Sequence, residues 1–143
     1  MGLIYSYTQA STALNAGTSD HISIKAGATR SMSVREYTYA GLGTASAANE
    51  VGVYRTTIGT IATAGFVPQN SSASAASATT AAAGQATTLG VKFHSFGLNA
   101  NGALFRWVAG PGMAIENAGT LQVGWRGVAG TSSATGMCII EEF

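Results

Sequence analysis

Residues 99–128, NANGALFRWVAGPGMAIENAGTLQVGWRGV, decide how this chain is read. Phe105 and Trp107 alternate with Leu104, Arg106 and Val108, and Gly110-Pro111-Gly112 then makes a hard turn. Met113 and Ile115 alternate with Ala114 and Glu116, residues 117–119 turn again, and Leu121, Val123 and Trp125 line one side of a last strand. A period of two sends successive side chains to opposite faces of a sheet, so each strand presents one apolar row. Glycine and proline stand where the chain must reverse, proline because its φ is fixed and glycine because it accepts a positive one. No nucleophile, base or ligand set is gathered in the stretch. It builds a sheet and a surface.

The same rhythm extends in both directions. Residues 3–8 read as a strand or an extended arm with Leu3, Tyr5 and Tyr7 on one side, and residues 21–26 alternate Ile22 and Ile24 against His21, Ser23 and Lys25. In residues 30–39, Met32 and Val34 share one parity while Tyr37 and Tyr39 take the other. A β-bulge near Arg35-Glu36 absorbs such a slip, because one extra residue resets which face points inward; the alternative is a strand covered on both faces. Residues 51–58 place Val51, Val53 and Arg55 opposite Gly52 and Tyr54. Residues 88–96 set Leu89, Val91 and Phe93 against Lys92 and His94, and residues 132–143 close the chain as an apolar strand with two acids near its end. About eight strands, no convincing helix and a turn signal every ten residues or so predict an all-β, single-domain, jelly-roll-like β-sandwich of antiparallel strands. Residues 1–20 are its N-terminal strand or extended arm. Residues 21–143 are the sandwich, carrying a low-complexity loop at 71–86, SSASAASATTAAAGQA.

Composition narrows the function. The 143 residues hold seven Lys and Arg against six Asp and Glu, only 9% charged in all, where an ordinary soluble domain has roughly 25%. The basic residues stand singly, which excludes the clustered cations a nucleic-acid binder needs. Apolar runs are short and alternating, far from the roughly 20 residues of a membrane-spanning helix. Surface charge helps keep monomers apart, so this chain reads as a subunit of an assembly. A single cysteine, Cys138, excludes an intramolecular disulfide and a cysteine zinc cluster. It sits in an apolar run, where a buried inert thiol is expected.

Chemistry finds no foothold. His21 and His94 are far apart and stand on the expected polar faces of their strands, so no metal or other cofactor is expected. There is no Gly-x-Ser-x-Gly elbow. Glu141 and Glu142 are adjacent in a strand and point apart, so they do not converge as a glycosidase pair. The chain is expected not to be an enzyme. The surface candidates are Tyr5 and Tyr7 on the N-terminal segment, Arg106 and Arg126 beside their tryptophans, and Ser71, Ala75 and Ala82 in the low-complexity loop, read as lying against another subunit.

The order TRSMSVREYTYAG (residues 29–41), VGVYRTTIGT (51–60), GALFRWVAGPGMAIENAGTLQVGWRG (102–127) and a last strand with Glu-Glu resembles the small capsid decoration proteins of tailed bacteriophages. The resemblance spans most of residues 20–143 and rests on spacing and turns. It implies a jelly-roll cement protein, a homo-oligomer with a trimer favoured, made in the host bacterial cytoplasm. Such a protein sits on the capsid surface of the virion, where its partner is the major capsid protein. The alternative is a receptor- or carbohydrate-binding jelly roll of a tail or fibre, which requires tryptophans or tyrosines exposed together on one face.

Overall fold

The structure, a computed structural model, describes residues 2–14, 19–57, 65–69, 79–81, 88–117, 122–130 and 132–143. Eleven strands appear in chain order: β1 (Leu3–Ala13), β2 (Asp20–Lys25), β3 (Met32–Leu42), β4 (Ala48–Thr57), β5 (Val67–Pro68), β6 (Thr79–Ala81), β7 (Thr88–Asn99), β8 (Asn101–Val108), β9 (Ile115–Asn117), β10 (Gln122–Ala129) and β11 (Ser133–Glu142). Two sheets hold them. One runs β5-β1-β11-β3-β8, with β9 also on β3, and the other runs β6-β2-β10-β4-β7.

The eight long strands pair as a ribbon folded back on itself. β1 pairs β11, β2 pairs β10, β3 pairs β8 and β4 pairs β7, all antiparallel. Rolling that ribbon brings β11 beside β3 and β10 beside β4. This is the double Greek key of a jelly roll, the fold predicted from the periodicity. The N-terminal segment is a strand of the sheet rather than a free arm, in register with β11 from Leu3↔Glu142 onward.

Between the sheets lies one core that includes Tyr5, Ile22, Ile24, Met32, Val34, Tyr37, Tyr39, Val51, Val53, Val123, Trp125, Cys138 and Ile140. The parity slip in β3 is resolved as expected. Ile139 opposes Glu36 and Ile140 opposes Val34, so Arg35 is the extra residue of a bulge. Met32, Val34, Tyr37 and Tyr39 all reach the interior because of it. The Arg35 side chain goes outward instead and pairs with Glu141.

β2 carries a second bulge that the sequence did not announce. Trp125 opposes Ile22 and Arg126 opposes Asp20, leaving His21 as the extra residue. His21 is therefore buried against the other sheet, not on the polar face expected of it. Its Nε2–H donates to the Ala134 carbonyl at 3.1 Å, which leaves Nδ1 to accept from the Tyr39 hydroxyl at 3.2 Å.

The low-complexity segment is corrected in one place: Thr79–Ala81 is a strand that pairs Ser23 to Lys25 of β2. Edge pairing needs only backbone groups, so a stretch without large apolar residues can supply it. With Val67–Pro68 on β1, the connection between β4 and β7 pairs with the first strand of each sheet.

The Pro-Gly turn forms as predicted. Gly110 accepts the Met113 N–H at 3.0 Å, and Gly112 has φ +72°, a type II turn with proline second and glycine third. Gly112→Ala is expected to cost about 1–2 kcal/mol, the penalty of a left-handed residue that bears a Cβ. The drop is read as a lower urea midpoint at unchanged slope.

Candidate functional site

β7 and β8 are joined by a tight turn and are the last strands of their two sheets, so among the described residues both form open edges at the same flank of the sandwich. Ala100 anchors the turn: its N–H donates to Ala47 at 2.8 Å, and its carbonyl accepts from Gly43 at 2.7 Å. The inner faces of the two strands meet in an aromatic seam. Phe96 and Phe105 stack at 4.0 Å between centroids, and Trp107 lies 5.1 Å from both Tyr37 and His94. The Tyr37 hydroxyl and His94 Nδ1 share a 2.8 Å hydrogen bond. His94 thus turns inward, half-buried, rather than to a polar face. His94 shares the parity of Phe96 and Leu98, both buried. Val53 opposes His94 and Tyr54 opposes Lys92, so Phe93 is an extra residue, and a second shift follows before Thr56 meets Leu89. Leu89 and Val91, expected in the apolar row, are on the surface.

The outer row of β8 is open. Leu104 is 71% and Val108 54% exposed, with exposed Arg106 between them. Val91 on β7 and Met113 after the turn are 71% and 66% exposed. The backbone of β8 is also half unpaired. Ala109 donates to Arg35 at 2.8 Å, and Trp107 opposes Tyr37, so odd-numbered residues bond β3. The N–H and C=O groups of Leu104, Arg106 and Val108 point away from it.

Charge is largely consumed within the chain. Arg106 grips Glu36 with Nε to Oε1 at 2.6 Å and a second nitrogen to Oε2 at 2.9 Å. Arg126 Nε reaches Asp20 Oδ1 at 2.9 Å in full burial, and Ser23 Oγ donates to Asp20 Oδ2 at 2.5 Å. Arg55 lies over the Phe93 ring at 5.0 Å and donates to the Glu116 carbonyl at 3.2 Å.

The surface candidates divide accordingly. Arg106 is at the surface, on the open flank. Tyr5, Tyr7 and Arg126 are buried, so they contribute no outer contact. Tyr5 and Tyr7 belong to the core because β1 pairs within the sandwich and turns that parity inward. Arg126 lies on the other side of β10 from Trp125, yet that side is closed as well. Ser71, Ala75 and Ala82 lie outside the described residues. Among the described residues no three His, Cys, Asp or Glu side chains come together as a metal site, and no helix is long and apolar enough to cross a membrane. Cys138 is buried, and burial pushes its thiol far above its ordinary range.

Both histidines titrate below their usual 6.5, chiefly because burial disfavours the imidazolium. The unfolded chain therefore binds more protons just below that pH, and stability present above it is lost as pH falls through the folded values. The carboxyls of Glu36 and Glu141 are held below their ordinary 4.5, first by hydrogen bonds from Arg106 and Arg35. Their contribution is complete above that value and is lost in more acid solution. The melting temperature is expected to fall continuously from about pH 7 to about pH 4. A flat profile between about pH 7 and pH 5 would contradict the buried neutral histidines.

Compared with known proteins, the chain matches no family model, no curated protein and no solved structure.

Proposed function

We propose that this chain is a non-enzymatic structural protein of a virion. On this reading it is made in the bacterial cytoplasm, binds the outside of a tailed-phage capsid and stabilises it by bridging major capsid subunits. The observation that carries the proposal is the open β7–β8 flank. Exposed Leu104 and Val108 stand on β8 and exposed Val91 on β7, two strands that, among the described residues, end their sheets without a further partner, on a chain of only 9% charged residues. Exposed apolar patches mark interaction surfaces. A rigid sandwich with a filled aromatic interior supplies contact area rather than a reacting group. Among the described residues three arginine–carboxylate pairs form within the chain, one of them buried and two at the surface, which neutralises part of an already sparse charge.

A glycan-binding reading has less support. It needs rings exposed side by side, whereas Trp125, Tyr37 and Tyr39 are buried and Trp107 packs against Tyr37 and His94.

The test adds purified protein to capsid shells assembled without it and heats them. Bound protein in a cryo-EM map and a raised disruption temperature are expected. Shells that neither bind the protein nor gain heat resistance would end the proposal.

A further inference from the structure

The geometry points to an isologous dimer in which β8 pairs antiparallel with β8 of a second copy of this chain. At the opposite flank β5 pairs β1 and β6 pairs β2. Among the described residues, no strand takes the outer side of β8. Natural sandwiches blunt such edges with lysine, proline, bulges or a covering segment, because a bare edge recruits another strand. β8 has neither lysine nor proline; its one bulge lies between Asn101 and Leu104, and from Leu104 to Val108 its pairing with β3 is regular. Its free N–H and C=O groups recur at Leu104, Arg106 and Val108, the alternation an antiparallel partner requires.

Charge selects a second copy as the occupant. The one ion on the outer row is Arg106, and Glu36 of the same chain already holds it through two hydrogen bonds. The strip carries no net charge to draw an acidic or a basic strand, and a copy of itself meets it with apolar residues of the same kind. Register follows from the arginine. With Phe105 on the two-fold axis, Leu104 lies opposite the partner's Arg106, and the aliphatic stem of each arginine covers a leucine. An axis at Arg106 would set like charges directly opposite, which is destabilising.

The contact is small. With Phe105 on the axis, residues 102–108 of the two copies overlap, seven residues spanning about 23 Å, and two sheets about 10 Å apart with their side chains make a flank about 20 Å wide. That is roughly 460 Å² per copy and about 900 Å² in all, the size of a weak, concentration-dependent dimer. The dimer is a property of the chain alone and does not require the capsid reading.

Light scattering coupled to gel filtration tests it on the full chain at about 100 µM, a concentration suited to an interface of that size. The wild type is expected at twice its 14.4 kDa. Leu104→Lys, at a position 71% exposed, sets a lysine against the partner's Arg106 and is expected to halve the mass with an unchanged circular dichroism spectrum and melting temperature. Val108→Lys, which sets a lysine on the same edge opposite Gly102 of the second copy and blunts it as edge lysines do, serves if that variant misfolds. A monomeric or trimeric wild type, or a dimer that survives both lysines, overturns the proposal. Capsid binding by a strictly monomeric chain would sink the dimer and leave the proposed function standing.

Discussion

Asp20→Ala is expected to destabilise the isolated chain by about 3–5 kcal/mol, the cost of breaking a buried ion pair from one side. The Asp20 side chain is fully buried, and that of Arg126 is 5% exposed. The carboxylate accepts from the guanidinium and from Ser23 together. Gly124 makes the arrangement possible, because a Cβ there would collide with the Asp20 carboxylate. Removing the carboxylate leaves a guanidinium in the same closed site without the charge that offsets it. The double variant Asp20→Leu/Arg126→Met, which removes both charges, is expected to lose far less, since a buried pair replaced by apolar groups is often near neutral. Glu36→Ala makes the contrast: its partner Arg106 is largely solvent-exposed, so water screens the pair and the loss is expected to be small. Urea unfolding of the three variants measures the differences. A loss below about 1 kcal/mol for Asp20→Ala would show that the site is wet.

Trp125→Ala is expected to cost about 3–5 kcal/mol as well, through lost burial and the cavity left behind. Trp125 is the largest fully buried side chain. It stands edge-on to Tyr37 at 5.5 Å, with Ile22 and Val53 opposite it on the two neighbouring strands. Its indole N–H is buried and meets no acceptor among the described residues. A buried donor in that state is itself a burden of about 1–3 kcal/mol. Trp125→Phe removes the donor while keeping most of the ring, so its loss is expected to be well under half that of alanine. Equal losses for the two variants would mean the N–H is satisfied by water. Trp107→Ala, at the half-exposed rim of the seam, should fall between the surface and core cases.

Much of the fold was legible because alternation is a local signal. The parity break between Val34 and Tyr37 pointed to a bulge near Arg35-Glu36, which the register places at Arg35, and Gly110-Pro111-Gly112 located its own turn. Val123 and Trp125 declared themselves a core row. The stretch 99–128 nevertheless does not form a sheet by itself: β8 and β9 both pair β3, while β10 crosses to the other sheet. Pairing partners are set by contacts far apart in sequence, and alternation carries no record of them.

The candidate surface was less legible. Leu104, Arg106 and Val108 were recognised as one row, but a period of two does not say which row faces water. Tyr5 and Tyr7 looked as available as Arg106, and Arg126 as exposed as any singly placed arginine. Asp20, in a turn-rich stretch, gave no sign of a partner 106 residues away.

The sequence by itself therefore determined the strands, the turns and the poverty of charge, because each depends on side chains one or two residues apart. Only the tertiary structure decided which face of each strand is closed, which arginine is buried and which sheet edges stay open. Those outcomes depend on which strands the rolled ribbon places side by side.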